Sequence, residues 1–144
     1  TYYLDEKGNK VLGLHEINGD LYYFRRGGAY KYTQLGDMWQ DSINYIDGKI
    51  YYFGHDGRAI KNRFYQWGNY WYYFYADGSA ATGAVQINGQ QLYFDKNHGR
   101  QVKGAFAPDG HYYDENSGEL VTNQTRTIKG VTYHFDENGN ATKV

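Results

Sequence analysis

The chain has no cysteine in its 144 residues, so neither a disulfide framework nor a thiolate metal site is open to it. Charge of one sign is missing too: 15 Lys and Arg stand against 16 Asp and Glu, a net charge of −1. Without a basic run, nucleic-acid binding through phosphate neutralisation has no footprint. No apolar stretch approaches the ~20 residues that span a bilayer, so membrane insertion is not expected. Proline and methionine occur once each, and aliphatic residues are too few for a conventional core. In their place stand 18 Tyr, 7 Phe and 3 Trp, with 19 Gly. Aromatic strands joined by tight turns fit that usage, and buried Tyr hydroxyls then need partners or water.

A short aromatic cassette recurs. Its copies are Tyr2-Tyr3-Leu4, Tyr22-Tyr23-Phe24, Tyr51-Tyr52-Phe53, Tyr72-Tyr73-Phe74, Leu92-Tyr93-Phe94, His111-Tyr112-Tyr113 and Tyr133-His134-Phe135. A polar turn follows each and ends in Gly8, Gly28, Gly57, Gly78, Gly99, Gly118 or Gly139. The cassettes lie mostly about 20 residues apart, the mark of a repeat array in which each unit contacts its neighbours. Residues 1–144 therefore read as a single array of about seven hairpin units. Residues 33–47 break the rhythm, as a surface loop or a local change in winding.

Compact turns precede most cassettes: Ile17-Asn18-Gly19, Ile46-Asp47-Gly48, Ile87-Asn88-Gly89 and Ile128-Lys129-Gly130, with Pro108-Asp109-Gly110 in the sixth unit. Asn-Gly and Asp-Gly favour type I′ geometry and are strong hairpin signals. No helical periodicity competes. The expected fold is all-β, a β-solenoid of stacked β-hairpins. Period-two alternation puts the third cassette residue inside and the middle one, such as Tyr73 or Tyr93, outside. On the return strand Val11, Ile60, Ala81, Val102 and Val121 should point inward. Gln101 and Lys103, flanking Val102, should then project outward together.

The stretch WYYFYADGSAATGAVQINGQQLYFDKNHGRQVKG, Trp71 to Gly104, resembles the C-terminal glucan-binding domain of glucansucrases, secreted glycoside hydrolase family 70 enzymes of Gram-positive bacteria. The likeness runs on through GHYYDENSGELVTN (110–123) to the end, and more loosely over residues 1–70. Two departures stand out. Gln86 lies one place later than the family's Gln after Thr-Gly, and the first three units lack Gln-Val-Lys-Gly. The resemblance implies a non-catalytic module for α-glucan polysaccharide or isomalto-oligosaccharides, acting as a monomer without a cofactor. It also implies a longer, secreted or cell-surface parent that uses sucrose as a transglucosylase. The chain begins at Thr1 inside a repeat, in keeping with a piece of such a protein.

In that family a Gln-x-Lys pair and Tyr residues of adjacent repeats line sugar pockets. The match implies this role for Gln101, Lys103 and Tyr93, with Tyr72 or Tyr73 stacking from the preceding unit and Thr82 as a weaker candidate. The chemistry is suitable: a pyranose lays its axial C–H groups on an aromatic face, Gln donates and accepts, and Lys donates. The corresponding pairs elsewhere are Lys10 and Leu12, Tyr30 and Tyr32, Ala59 and Lys61, Ala80 and Thr82, Leu120 and Thr122, and Ala141 and Lys143. Gln-x-Lys occurs once, so the repeat does not demand it. Lys61 near Tyr52 is a second-rank site, for which a solvated strand lysine is the plainer account.

Catalysis has no visible machinery. Asp56, Asp77, Asp95, Asp114 and Asp136 sit in turns, where Asp caps backbone amides. A retaining glycosidase needs two carboxyl groups about 5 Å apart. The five His show no metal spacing. Two other functions share such repeats: a choline-binding module, whose cation favours a Trp-rich box, and an adhesin- or toxin-type surface array. Only Trp39, Trp67 and Trp71 are present for the first, and the Gly-Trp of its repeat is missing.

Overall fold

In the computed structural model, residues 7–8, 13–24 and 42–144 are described. They form paired strands and no helix. The hairpins are β1 (Gly13–Ile17) with β2 (Asp20–Phe24), β3 (Ser42–Ile46) with β4 (Lys49–Phe53), and β5 (Arg63–Trp67) with β6 (Tyr70–Phe74). There follow β7 (Gly83–Ile87) with β8 (Gln90–Phe94), β9 (Ala105–Phe106) with β10 (Tyr112–Tyr113), and β11 (Gln124–Ile128) with β12 (Val131–Phe135). β13 (Ala141–Lys143) adds a third strand to the last. Every described cassette thus lies on the second strand of a hairpin, and the fold is an all-β solenoid of stacked hairpins. Tyr2-Tyr3-Leu4, Lys10 to Leu12, Tyr30 and Tyr32 fall outside the described residues. Of the stretch that breaks the rhythm, Ser42–Ile46 is β3, while residues 33–41 with Gly36, Met38 and Trp39 lie outside the description.

The turns follow their dipeptides. Both central residues have positive φ at Asn18-Gly19, Asp47-Gly48, Asn88-Gly89 and Lys129-Gly130, as type I′ requires. β5 and β6 are joined instead by Gly68-Asn69, where Gly68 alone has positive φ, as in a type II′ turn. That turn escapes the Ile-x-Gly pattern because Gly68 stands at the first central position and Trp67 replaces the Ile. After the five cassettes from Phe53 onward the Asp does cap the turn: Asp77 accepts from the Ser79 amide at 2.8 Å and Asp136 from the Asn140 amide at 2.8 Å, with Asp56, Asp95 and Asp114 placed alike.

The chain forms two compact units, Thr1–Tyr65 with Tyr73–Ala80, and Gln66–Tyr72 with Ala81–Val144. In each, the segment after the capped turn ties one hairpin to the one before. In the first unit the Ala59 amide donates to the Leu21 carbonyl and the Ala80 amide to that of Ile50, both at 2.8 Å. In the second, Gln101 donates to Trp71 at 2.8 Å and Leu120 to Gln91 at 2.9 Å. The first core gathers Ile46, Tyr51, Phe53 and Ala59. The second holds two clusters, Tyr93 with Ala107 and Tyr113, and Tyr112 with Val121 and Phe135.

All six described third-position rings, Phe24, Phe53, Phe74, Phe94, Tyr113 and Phe135, are buried as expected. The middle position departs from the expectation at Tyr52, Tyr93 and Tyr112, while His134 is exposed. Tyr52 and Tyr93 are only 5% and 3% exposed, because the next hairpin covers that face as well. Tyr65 of β5 lies 4.6 Å from Tyr52, and Tyr113 of β10 lies 5.8 Å from Tyr93. Where stacking covers both faces of a strand pair, alternation names the faces without saying which one is wet. Buried hydroxyls find partners: that of Tyr113 donates to Asp109 at 2.7 Å and accepts from Gln91 at 3.1 Å.

Candidate functional site

Around Gln101 the backbone is pinned on several sides. Its amide donates to Trp71, the Val102 amide to Tyr93 at 2.8 Å, and the Gly104 amide to Tyr113 at 2.7 Å. That leaves the Gln101 and Lys103 side chains, which do emerge on one side as the spacing predicts. Both meet Gly118 in the next capped turn. A Cβ there would lie 2.3 Å from Gln101 Nε2 and 3.4 Å from Lys103 Cε, so the Gln101 amide would have to swing aside, and the φ of +75 favours glycine in any case. Gln101 is half-buried and Lys103 exposed. Among the described residues, nothing hydrogen-bonds the Gln101 side-chain amide. Val102, expected inside, is half-buried and packs against the Tyr93 cluster.

The aromatic partner of the pair is Trp71 on β6. It is 37% exposed, and the Lys103 ammonium stands 5.4 Å above its ring. Beside it the Arg100 guanidinium lies 4.1 Å over Tyr70. Tyr72 is 1% exposed, with its hydroxyl bonded to Arg100, a contact that raises the guanidinium pKa. Neither Tyr72 nor Tyr93 therefore offers an open ring face, and Tyr93 points into the core rather than outward. Thr82 is exposed, and no hydrogen bond or ion pair joins it to Gln101 or Lys103 among the described residues. Tyr73 belongs to the first unit, half-buried and edge-on to Phe64 at 4.8 Å and Tyr75 at 5.7 Å. Trp71 is the exposed ring beside the pair and is not among the residues the sequence singled out for it. The signal was there: alternation puts residue 71 opposite the buried Tyr72.

The second-rank pair comes out as structure. Lys61 Nζ donates to the Gly19 carbonyl of the first hairpin's turn, and Tyr52 is buried under Tyr65. A cavity of about 290 Å³ does open beside Lys61, lined by Asp20, Asp56, Arg58 and Arg63 among others, but no ring faces it.

Carboxylates in the second unit serve the turns. The Ser117 amide, the Arg126 guanidinium at 2.8 Å and the Asn116 amide hold Asp114 well below the usual carboxylate range. No group of three or more His, Asp or Glu able to hold a metal ion occurs among the described residues.

Comparison with known proteins bears on this geometry. The family model for the choline-binding repeat matches residues 81–124, and that for the cell wall binding repeat matches 62–80 and 126–141. Residues 62–141 thus carry repeats of the choline-binding and cell wall binding kind. What matches here is repeat-type, not a catalytic domain. The chain is 39% identical over 97% of its length to glucosyltransferase-S of Streptococcus mutans serotype c, and 37% identical over 97% to glucosyltransferase-I of Streptococcus downei. It spans only 9% of the length of either relative. Among solved structures it resembles choline binding protein F of Streptococcus pneumoniae, with TM-score 0.76 and 29% identity, over 98% of this chain and 43% of that one.

Proposed function

We infer that residues 1–144 act as one non-catalytic module that binds α-glucan of the dextran type. The observation that carries this is the half-buried Gln101 amide, left without a partner among the described residues, beside the Lys103 ammonium and the open Trp71 ring. A half-buried amide without a protein partner meets its hydrogen-bonding capacity with water or with a ligand. Sugar hydroxyls suit it, since they accept from its N–H and donate to its C=O. Trp71 supplies the flat apolar face and Lys103 further donors. The similarity to two streptococcal glucosyltransferases supports glucan as the sugar. The module would tether a longer, extracellular or cell-surface sucrose-using parent of a Gram-positive bacterium to its polymer product, as a monomer and without nucleic acid.

A quaternary ammonium is the second reading, favoured by the choline-binding repeat match. Against it, the exposed rings of Trp71 and Tyr70 already carry the chain's own cations at 5.4 and 4.1 Å. A ligand cation there meets like charge. Electrophoresis in gels containing dextran, with and without choline, tests both. Retardation by dextran that choline does not relieve is expected. Migration unchanged by dextran would refute the glucan reading.

A further inference from the structure

Asn-Gly occurs at Asn18-Gly19, Asn88-Gly89 and Asn138-Gly139, and the fold gives these pairs unlike surroundings. The first two are the central residues of type I′ turns, with φ of 53 at each Asn and of 85 and 80 at the glycines. Both pairs are exposed at hairpin tips. The bond that closes such a turn joins the flanking residues and leaves the central amides out. Among the described residues nothing accepts from the Gly19 or the Gly89 amide. A Cβ added at either glycine would meet nothing within 4 Å. Asn138-Gly139 lies in a capped turn instead. There the Asn138 amide donates to the Asp136 carboxylate at 2.9 Å and the Gly139 amide to the Asp136 carbonyl at 3.1 Å, while Leu120 covers the glycine.

An asparagine followed by glycine loses its side-chain amide without an enzyme, which makes it a thermolabile residue. The Gly nitrogen attacks the Asn Cγ, the new N–Cγ bond closes a succinimide ring, and the displaced side-chain nitrogen leaves as ammonia with the proton from the Gly amide. Water then opens the ring. Cleavage at Cγ gives aspartate; cleavage at the Asn main-chain carbonyl gives isoaspartate, whose chain runs through Cγ. The attacking nitrogen has to be free and the peptide plane has to turn. Gly89 meets both conditions, and the bonded, covered Gly139 meets neither. Gly19 has a free amide, but its carbonyl accepts from Lys61 Nζ, which restrains the turn. We propose that Asn88 is a site of spontaneous deamidation, ahead of Asn18 and far ahead of Asn138. Its two products differ in what they do to the array. Asp47-Gly48 builds the same type I′ turn with φ of 51, so aspartate at 88 fits. Isoaspartate lengthens the main chain between β7 and β8, and the register of that hairpin depends on the turn. The Gln91 carbonyl of β8 also receives the Leu120 amide, so the disturbance reaches the next repeat.

The test is ageing of the full chain at mildly alkaline pH, beside the same chain in urea. Peptide mapping by mass spectrometry and labelling with an isoaspartate-specific methyltransferase read the products. In urea the Asn-Gly pairs should convert at similar rates, since the dipeptide is the same. In the folded chain the Asn88 peptide should gain about one dalton first, with Asn18 roughly fivefold slower and Asn138 unconverted. Lys61→Met should bring Asn18 towards the rate of Asn88. Asn88→Lys should remove the main acidic species and leave the melting temperature unchanged, because Lys129-Gly130 forms the same turn with φ of 51. The aspartate form should melt with the unaged chain and the isoaspartate form below it. Folded-state conversion of Asn138 as fast as that of Asn88 would overturn the assignment, as would an Asn88 that converts in urea and not in the folded chain.

Discussion

Gln101 and Leu120 occupy the same place in successive repeats. Each donates its amide to the preceding hairpin, at 2.8 and 2.9 Å, and each sits under the glycine of the following capped turn. A Cβ on Gly118 would strike Gln101 Nε2 at 2.3 Å, and one on Gly139 would strike Leu120 Cδ1 at 2.8 Å. The surroundings differ. Leu120 packs against the Tyr93 cluster, and the Gln91 it pairs with spends its amide on the Tyr113 hydroxyl at 3.1 Å. Gln101 pairs with an exposed Trp71, and its own amide bonds nothing among the described residues. One backbone position thus serves packing in one repeat and leaves a side-chain amide unused in the other. The hydrogen bonds of the array are main-chain, so the side chain at this point is not fixed by the fold.

The largest effect expected from breaking this parallel is at the neighbouring inward residues. Val121 is 2% exposed, whereas Val102 is half-buried beside the candidate site. Val121→Asp buries an unpaired carboxylate and should cost about 3 kcal/mol or more. Val102→Asp leaves its charge a route to water and should cost clearly less. Thermal melting of both variants checks this. Equal losses would mean that the Gln101 segment is as dry as the Leu120 segment, and the contrast between them would fall.

Exchanging the two side chains comes next in size. Gln101→Leu should leave the melting temperature unchanged or raise it, since Leu already fits this backbone at 120. It should cost the sugar about 0.5–1.5 kcal/mol of hydrogen bonding, roughly a two- to tenfold loss of isomaltotriose affinity. Leu120→Gln should lower stability by about 1–2 kcal/mol, through a poorly paired amide, without adding a binding site, because no open ring lies beside it. Calorimetric titration with paired melts reads both arms. Unaltered affinity in Gln101→Leu would falsify the site.

Much of this was legible beforehand, and the reason is locality. Hairpin turns depend on two residues, so Asn18-Gly19 and Asn88-Gly89 announced themselves, while Gly68-Asn69 went unread because Trp67 broke the pattern. Gln101 stood out because none of its six counterparts is a Gln with a Lys two residues on. Facing was harder, since it depends on which neighbouring hairpin covers which side. Tyr93 read as outward and is buried under Tyr113, and Trp71 read as part of a motif and is the open ring. Burial at that level is a property of stacking, which no single repeat encodes.

Acid sensitivity should separate the two turns that cover these residues. Asp114 holds the turn over Gln101 and has Arg126 at 2.8 Å; Asp136 holds the turn over Leu120 with the amides of Asn140 and Asn138 leading. Both folded pKa values lie below the unfolded one, so each contributes stability that is complete above the ordinary Asp range near pH 4 and fades as pH falls towards the folded value. Asp114→Asn should therefore lower the melting temperature at neutral pH more than Asp136→Asn does. It should also flatten the decline below pH 4. A decline as steep as the parent's would assign the acid transition to other carboxylates.

The smallest expected effect is that of salt, and it tests what Lys103 is for. In the Leu120 repeat Thr122 stands in place of Lys103 and Glu119 in place of Arg100, so Lys103 is the cation over Trp71 that the other segment lacks. A neutral glucan carries no condensed counterions, and binding it releases none. Lys103 then acts as a hydrogen-bond donor above Trp71, a short-range role that a Debye length of about 8 Å at physiological ionic strength leaves largely intact. Dextran retention should change by less than about twofold between low and physiological salt, whereas neutralising several phosphates would cost orders of magnitude over a similar range. Lys103→Met should weaken retention to the same extent at both ionic strengths. A parent whose retention falls steeply with salt while that of Lys103→Met does not would recast Lys103 as an anchor for an anionic polymer, and the Gln101 segment as something other than a glucan site.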